Sequence, residues 1–160
     1  MRSESSVKKI LPVNLLLEGK PCLVVGGGPI AARKVGHLLA AGAVVTVVSP
    51  EVCPDLARLK KARKVKHKPV AFTVAEVKGQ AVVFAATDNG PVNLRVIKAC
   101  RRQRVLCCAA DSHWGEGDFM TPAIIRHPRV TVTVSTGGES CRRARLVKEK
   151  LERYLIAEQL

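Results

Sequence analysis

Four apolar-rich runs divide the first two thirds of the chain: Cys22–Val25 (CLVV), Val44–Val48 (VVTVV), Ala81–Ala86 (AVVFAA) and Val105–Ala110 (VLCCAA). None alternates strictly between apolar and polar residues, so each predicts a strand covered on both faces. Helical spacing fills the gaps. Pro29 suits the first turn of a helix, Ile30, Leu38 and Leu39 give it an apolar face, and Gly42 is a fitting terminator. A shorter helix is predicted over Pro54–Arg63 and a brief strand near Val65–Val70. Thr87-Asp88-Asn89-Gly90 is a turn, and Pro91 opens a helix on which Val92, Val96 and Ala99/Cys100 share one side. Strands alternating with helices of crossover length predict an α/β fold, a Rossmann-like doubly wound parallel sheet occupying residues 1–112.

The pattern changes beyond Asp111. SHWGEGD is a polar loop, Phe119–Arg126 and Arg129–Ser135 predict two β segments, and Glu139–Leu160 predicts one long amphipathic helix with Val147, Leu151, Tyr154 and Leu155 on its apolar side. Two β segments and a helix cannot bury themselves. Residues 113–160 are therefore expected to form a dimerisation segment, and the chain a homodimer.

Composition narrows the partners. The six cysteines show no CxxC pair, which predicts reduced thiols and no structural zinc site. With no signal peptide and no run of the ~20 apolar residues that cross a bilayer, a cytoplasmic protein without a membrane partner is expected. Lys and Arg number 27 against 13 Asp and Glu, a formal charge of +14. Seven of the cations lie in Arg58–Lys68 and six in Arg142–Arg153. Such an excess attracts polyanions. The few aromatic residues do not interleave with the basic runs, which argues against a nucleic-acid stacking platform. A small polycarboxylate fits better.

Chemistry enters at Gly26-Gly27-Gly28-Pro29-Ile30-Ala31, which fits G-x-G-x-x-A. In that motif the first glycine permits a tight turn, the second lets the backbone approach a pyrophosphate, and the small third residue packs helix on strand. Here it follows a predicted strand and opens a predicted helix, the context that favours dinucleotide binding over a mere turn. Ser49 occupies the end of the second strand where an acidic residue is common, and Glu51 lies close by. No arginine stands beside it, so NAD is favoured over NADP.

Taken in order, LPVNLLLEGKPCLVVGGGPIAARKV, AATDN with Val92-Asn93, the strand-end Asp111, FMTPAII and VSTGGESCRRARLVKEKLE resemble the precorrin-2 dehydrogenase (sirohydrochlorin-forming) domain of siroheme synthases, from Leu11 to about Leu155. The resemblance implies NAD-dependent oxidation of precorrin-2, a polycarboxylate tetrapyrrole, to sirohydrochlorin. In some members Fe²⁺ is then inserted to give siroheme. It places NAD contacts at Gly26, Gly28, Pro29 and Ile30 and at Ser49, Pro50 and Glu51, with Thr87 in the same crevice. It makes Asp111 the catalytic residue, where a carboxylate takes a proton or orients the macrocycle. The alternative is that Asp111 bonds only its own turn.

Candidates for substrate contact are His113, a proton acceptor or iron ligand unless merely solvated, and the Thr136-Gly137 loop with Arg142, suited to a propionate. Thr136 stands where some relatives carry a phosphorylated serine. The further helical region of longer members is largely absent here, so dehydrogenation is expected ahead of metal insertion. The competing expectation is an NAD(H)-sensing module whose basic helices contact nucleic acid or a protein.

Overall fold

The computed structural model describes residues 9–127 and 130–157. Five strands form a parallel sheet: β1 (Pro21–Val25), β2 (Val44–Val48), β3 (Lys66–Lys68), β4 (Val82–Ala85) and β5 (Leu106–Ala109), in the spatial order β3-β2-β1-β4-β5. Register is continuous across the centre, Val25 lying between Val48 and Ala85. The strand order reverses between β1 and β4. Chain entering and leaving the sheet there diverges to opposite faces, which opens a crevice at the carboxyl ends of the strands.

Helices α1 (Pro29–Leu39), α2 (Pro54–Lys61) and α3 (Gly90–Gln103) supply the layers. Cys22, Val24, Val45, Val47 and Phe84 cluster with Ala31, Val35 and Leu38 of α1 and Leu56 of α2 on one face. Leu23, Val25, Val83, Ala85 and Cys107 cluster with Val96, Ile97, Ala99 and Cys100 of α3 on the other. Alternate residues of one strand thus feed both cores, which is why the runs in the sequence do not alternate. Each fully buried Val or Leu contributes about 1.5–3 kcal/mol relative to its exposed state. Lys34 joins the first core by its aliphatic stem, with its ammonium 5.6 Å from the Phe84 ring centroid. Ile30 departs from expectation. It is 48% exposed at the head of α1, and Ala31, Lys34, Val35 and Leu38 form the buried stripe instead.

The cysteines behave as small hydrophobes. None of the six is in a disulfide, and four are buried. The Cys107 thiol is pushed well up by its hydrogen bond with Cys100 and by burial, which keeps it protonated and inert.

Two compact units divide the described residues, Leu15–Met120 and those from Thr121 onward together with residues 9–14. The first unit retains the loop after β5. Asp118 accepts the Cys107 N–H at 2.9 Å and donates its own N–H to the Cys107 carbonyl at 2.8 Å, while Phe119 packs edge-on against Phe84. Asp118 and Phe119 are therefore held on β5 and β4, and the expected β segment shrinks to β6 (Ala123–Arg126). In the second unit β6 pairs antiparallel with β7 (Thr131–Val134), and α4 (Cys141–Ala157) packs on both. Arg129, at the expected start of the second β segment, and residues 158–160, at the expected end of the helix, lie outside the described residues. Among the described residues no helix is long and apolar enough to cross a membrane.

Candidate active site at the carboxyl ends of the strands

The turn from β1 into α1 is shaped by what its neighbours leave no room for. Gly26 takes φ +130, and a Cβ there would stand 2.3 Å from the Ala86 carbonyl oxygen. A Cβ on Gly27 would stand 1.8 Å from the Glu51 carbonyl oxygen. Both contacts are to backbone, so no side-chain rotation relieves them. Gly28 differs, since nothing lies within 4 Å of its Cβ position. The turn is thus pressed against β4 and the β2–α2 loop on one side and open at Gly28 on the other.

Gly28 is also the N-cap of α1, with no side-chain cap, no acidic residue in the first turn and Pro29 at its start. The N–H groups of Ile30 and Ala31 lack intrahelical partners by helix geometry. Free N–H groups, the positive end of the helix dipole and an open Gly28 together fit a pyrophosphate. A dinucleotide suits the residues present.

Next to the turn lies a cleft of about 220 Å³ lined in part by Gly26, Ser49, Pro50, Phe72, Thr87 and Val92. Of the expected cofactor residues, Gly26, Ser49, Pro50 and Thr87 therefore meet in one space, while Gly28, Pro29 and Ile30 form the head of α1. Glu51 does not line the cleft. Its carbonyl accepts the Ser49 hydroxyl at 2.6 Å, and the loop is tied to the glycine turn by the Cys53 N–H on the Gly27 carbonyl at 2.7 Å. His67, in the basic run, holds the Ser49 carbonyl through Nε2 at 2.8 Å.

Across the crevice from the glycine turn, one side chain organises the rest. Asn93, on α3, is completely buried. Its Oδ1 accepts the Thr87 N–H at 3.2 Å and the Thr87 hydroxyl at 2.7 Å. Its Nδ2 donates to the Thr87 carbonyl at 3.0 Å and to Asp111 Oδ2 at 2.7 Å. Asp111, two residues past β5, also accepts the His113 N–H on Oδ1 at 2.9 Å and meets His113 Nδ1 on Oδ2 at 3.0 Å. Burial raises the Asp111 carboxyl, but the hydrogen bonds from Asn93 and His113 outweigh it and hold the group below the usual carboxylate range.

The structure brings Thr87, Asp111 and His113 into one network. Asn93 was not among the expected site residues, although its signal was legible: it stands three, four and seven residues before Val96, Ile97 and Cys100, a lone polar group on the buried stripe of a helix. Such a residue must find polar partners.

The remaining candidates belong to the second unit. Thr136 Oγ1 accepts the Ser140 N–H at 3.0 Å and donates to the Ser140 carbonyl, and the Gly137 N–H is held by Ser135 Oγ at 3.2 Å. Arg142 is exposed in the first turn of α4.

A family model described as "Putative NAD(P)-binding" matches residues 13–123, which contain the glycine turn, the cleft and the Asn93 network. The chain belongs to this NAD(P)-binding family. It is also similar to two proteins named siroheme synthase, at 42% identity over 146 residues in Thioalkalivibrio sulfidiphilus and 37% over 147 residues in Methylobacillus flagellatus. Those matches cover 91% and 92% of this chain but 30% and 31% of the relatives, so the chain spans about a third of their length. Among solved structures it resembles SirC, a precorrin-2 dehydrogenase, with a TM-score of 0.78 and 28% identity over 94% of this chain and 76% of that one.

Proposed function

We propose that this chain oxidises precorrin-2 to sirohydrochlorin with NAD as acceptor. The observation that carries the reading is the pairing, within one unit, of an anion-ready helix head at Gly28 with an ionised Asp111 tied by Asn93 to the cleft wall at Thr87. Similarity to siroheme synthases and to SirC supplies the substrate class.

In this reading Gly26, Gly28, Pro29 and Ile30 hold the pyrophosphate, Ser49 and Pro50 sit at the adenosine ribose, and Glu51 supports them through its carbonyl on the Ser49 hydroxyl. Thr87 borders the nicotinamide end, where bound NAD accepts a hydride from the substrate. Asp111 belongs to the group that receives the accompanying proton, and a carboxylate kept ionised there also stabilises positive charge nearby. In the second unit Arg142 offers a guanidinium to a carboxylate of the tetrapyrrole, while the Gly137 N–H and the Thr136 hydroxyl are engaged by Ser135 and Ser140. The formal charge of +14 raises the local concentration of such a substrate.

Two further parts belong to the proposal. The chain works as a homodimer, supported by the exposed apolar residues of α4, and in a reducing compartment, the cytoplasm, supported by six cysteines outside any disulfide. Fe²⁺ is a second substrate only if the product site also admits a metal.

The deciding experiment is an anaerobic assay with precorrin-2 and NAD that follows NADH and sirohydrochlorin together by absorbance. Equal formation of both is expected. NAD binding without turnover would overturn the dehydrogenase reading. Adding Fe²⁺ to the same cuvette then tests chelation.

A further inference from the structure

Asp111 is hydrogen-bonded as a support rather than as a base. Its carboxylate receives three donors, the Asn93 amide, the His113 N–H and His113 Nδ1. A carboxylate satisfied this fully is a weak proton acceptor. What it determines is the state of its neighbour.

The chain of constraint starts at Thr87. Its N–H can only donate and its carbonyl can only accept, so the Asn93 carboxamide has one orientation that satisfies both. That orientation turns Nδ2 to Asp111 and leaves Oδ2 an acceptor. A neutral imidazole facing an acceptor presents its N–H, so His113 carries its proton on Nδ1 and its lone pair on Nε2. Nε2 has no hydrogen-bond partner among the described residues, and the imidazole is 30% exposed. The ring packs closely on Gly90, where a Cβ would lie 3.1 Å from His113 Cε1.

We propose that His113 Nε2 is the proton acceptor of the oxidation, with Asp111 and Asn93 as its positioning residues. The inference rests on the dehydrogenase reading above. Two hydrogens leave the substrate. One departs as hydride to the nicotinamide when a C–H bond breaks. The other departs as a proton, its bonding electron pair stays in the macrocycle as part of the new double bond, and an N–H bond forms at His113 Nε2. The imidazolium then releases that proton to water from its exposed side. Imidazole suits this exchange near neutrality, where an acceptor must both take and return a proton.

The test compares the wild type with His113→Ala, Asn93→Ala and Asn93→Ser in the same anaerobic assay, alongside NAD titration and ¹⁵N NMR of the His113 ring. His113→Ala is expected to lower kcat by about 100-fold or more. Its NAD affinity should stay the same, and millimolar imidazole should restore part of the rate. The wild-type ring should be the Nδ1–H tautomer. Asn93→Ser, the variant better able to keep a buried hydrogen bond, should mix the tautomers and lower kcat without becoming responsive to imidazole.

A His113→Ala enzyme that keeps more than half of wild-type kcat would overturn the assignment, as would an Nε2–H tautomer in an enzyme that turns over normally. A wild type that forms no NADH from precorrin-2 would remove the dehydrogenase reading and this role with it. The two failures are therefore distinct.

Discussion

Gly27 and Gly28 are neighbours, yet a methyl group meets different surroundings at each. At Gly27 it would lie 1.8 Å from a backbone oxygen and 2.6 Å from the Ser49 hydroxyl, so the β2–α2 loop must move. Overpacking of this kind costs about 1–3 kcal/mol. At Gly28 it would enter open space, in an ordinary extended conformation. Gly27→Ala is therefore expected to lower the Tm by several degrees. Gly28→Ala should cost only about 0.5–1 kcal/mol, because Ala is a poorer N-cap than Gly, while weakening NAD about 10-fold by crowding the pyrophosphate. Thermal unfolding and calorimetric titration separate the two effects. Wild-type NAD affinity in Gly28→Ala would place the pyrophosphate elsewhere. The spacing of the glycines was legible in the sequence. Which of them is crowded by backbone was not, because the answer depends on Ala86 and Glu51, distant in the chain.

At the scale of elements, the head of α3 joins stability to chemistry. Asn89 Oδ1 accepts the Val92 N–H at 3.1 Å and caps the helix, and the Asn89 N–H rests on the Thr87 hydroxyl at 3.1 Å. One turn onward Asn93 reaches Asp111. Asn89→Ala is expected to cost about 1 kcal/mol in chemical denaturation. It should also raise the KM for NAD more than it lowers kcat, since Asn89 lines the cofactor cleft and does not touch Asp111. An unchanged KM with a reduced kcat would place the effect in the proton-accepting group instead. Strands β1, β2, β4 and β5 of the first unit stood out in the sequence because burial on both faces demands unbroken apolar runs, which the edge strand β3, KHK, lacks. The segment from Phe119 did not, since its apolar residues are equally those of a strand. Only the anchoring of Asp118 and Phe119 on β5 and β4 shows that they serve a loop.

For the whole molecule, α4 raises the question of partners. Ala144 is its one buried residue, while Leu146, Val147, Leu151, Tyr154 and Ile156 are between 37% and 67% exposed. A two-stranded hairpin with one helix is marginal by itself, so a second copy is expected to cover this face. Leu151→Glu with Tyr154→Glu should convert a dimer to a monomer in light scattering while NAD still binds to the first unit. A wild type that is monomeric at tens of micromolar would rule the dimer out. By itself, the sequence determined the alternation of strands and helices, the dinucleotide turn, the strand-end aspartate and the basic charge. Each is written in local spacing or in composition. Only the tertiary structure decided that Asn93, on α3, meets Asp111 beyond β5 and that Ile30 faces outward, whereas the Asp111–His113 contact is local, within Asp111's own turn. The physical reason is that hydrogen bonds between residues far apart in the chain follow from where the sheet brings them. No local pattern encodes that meeting.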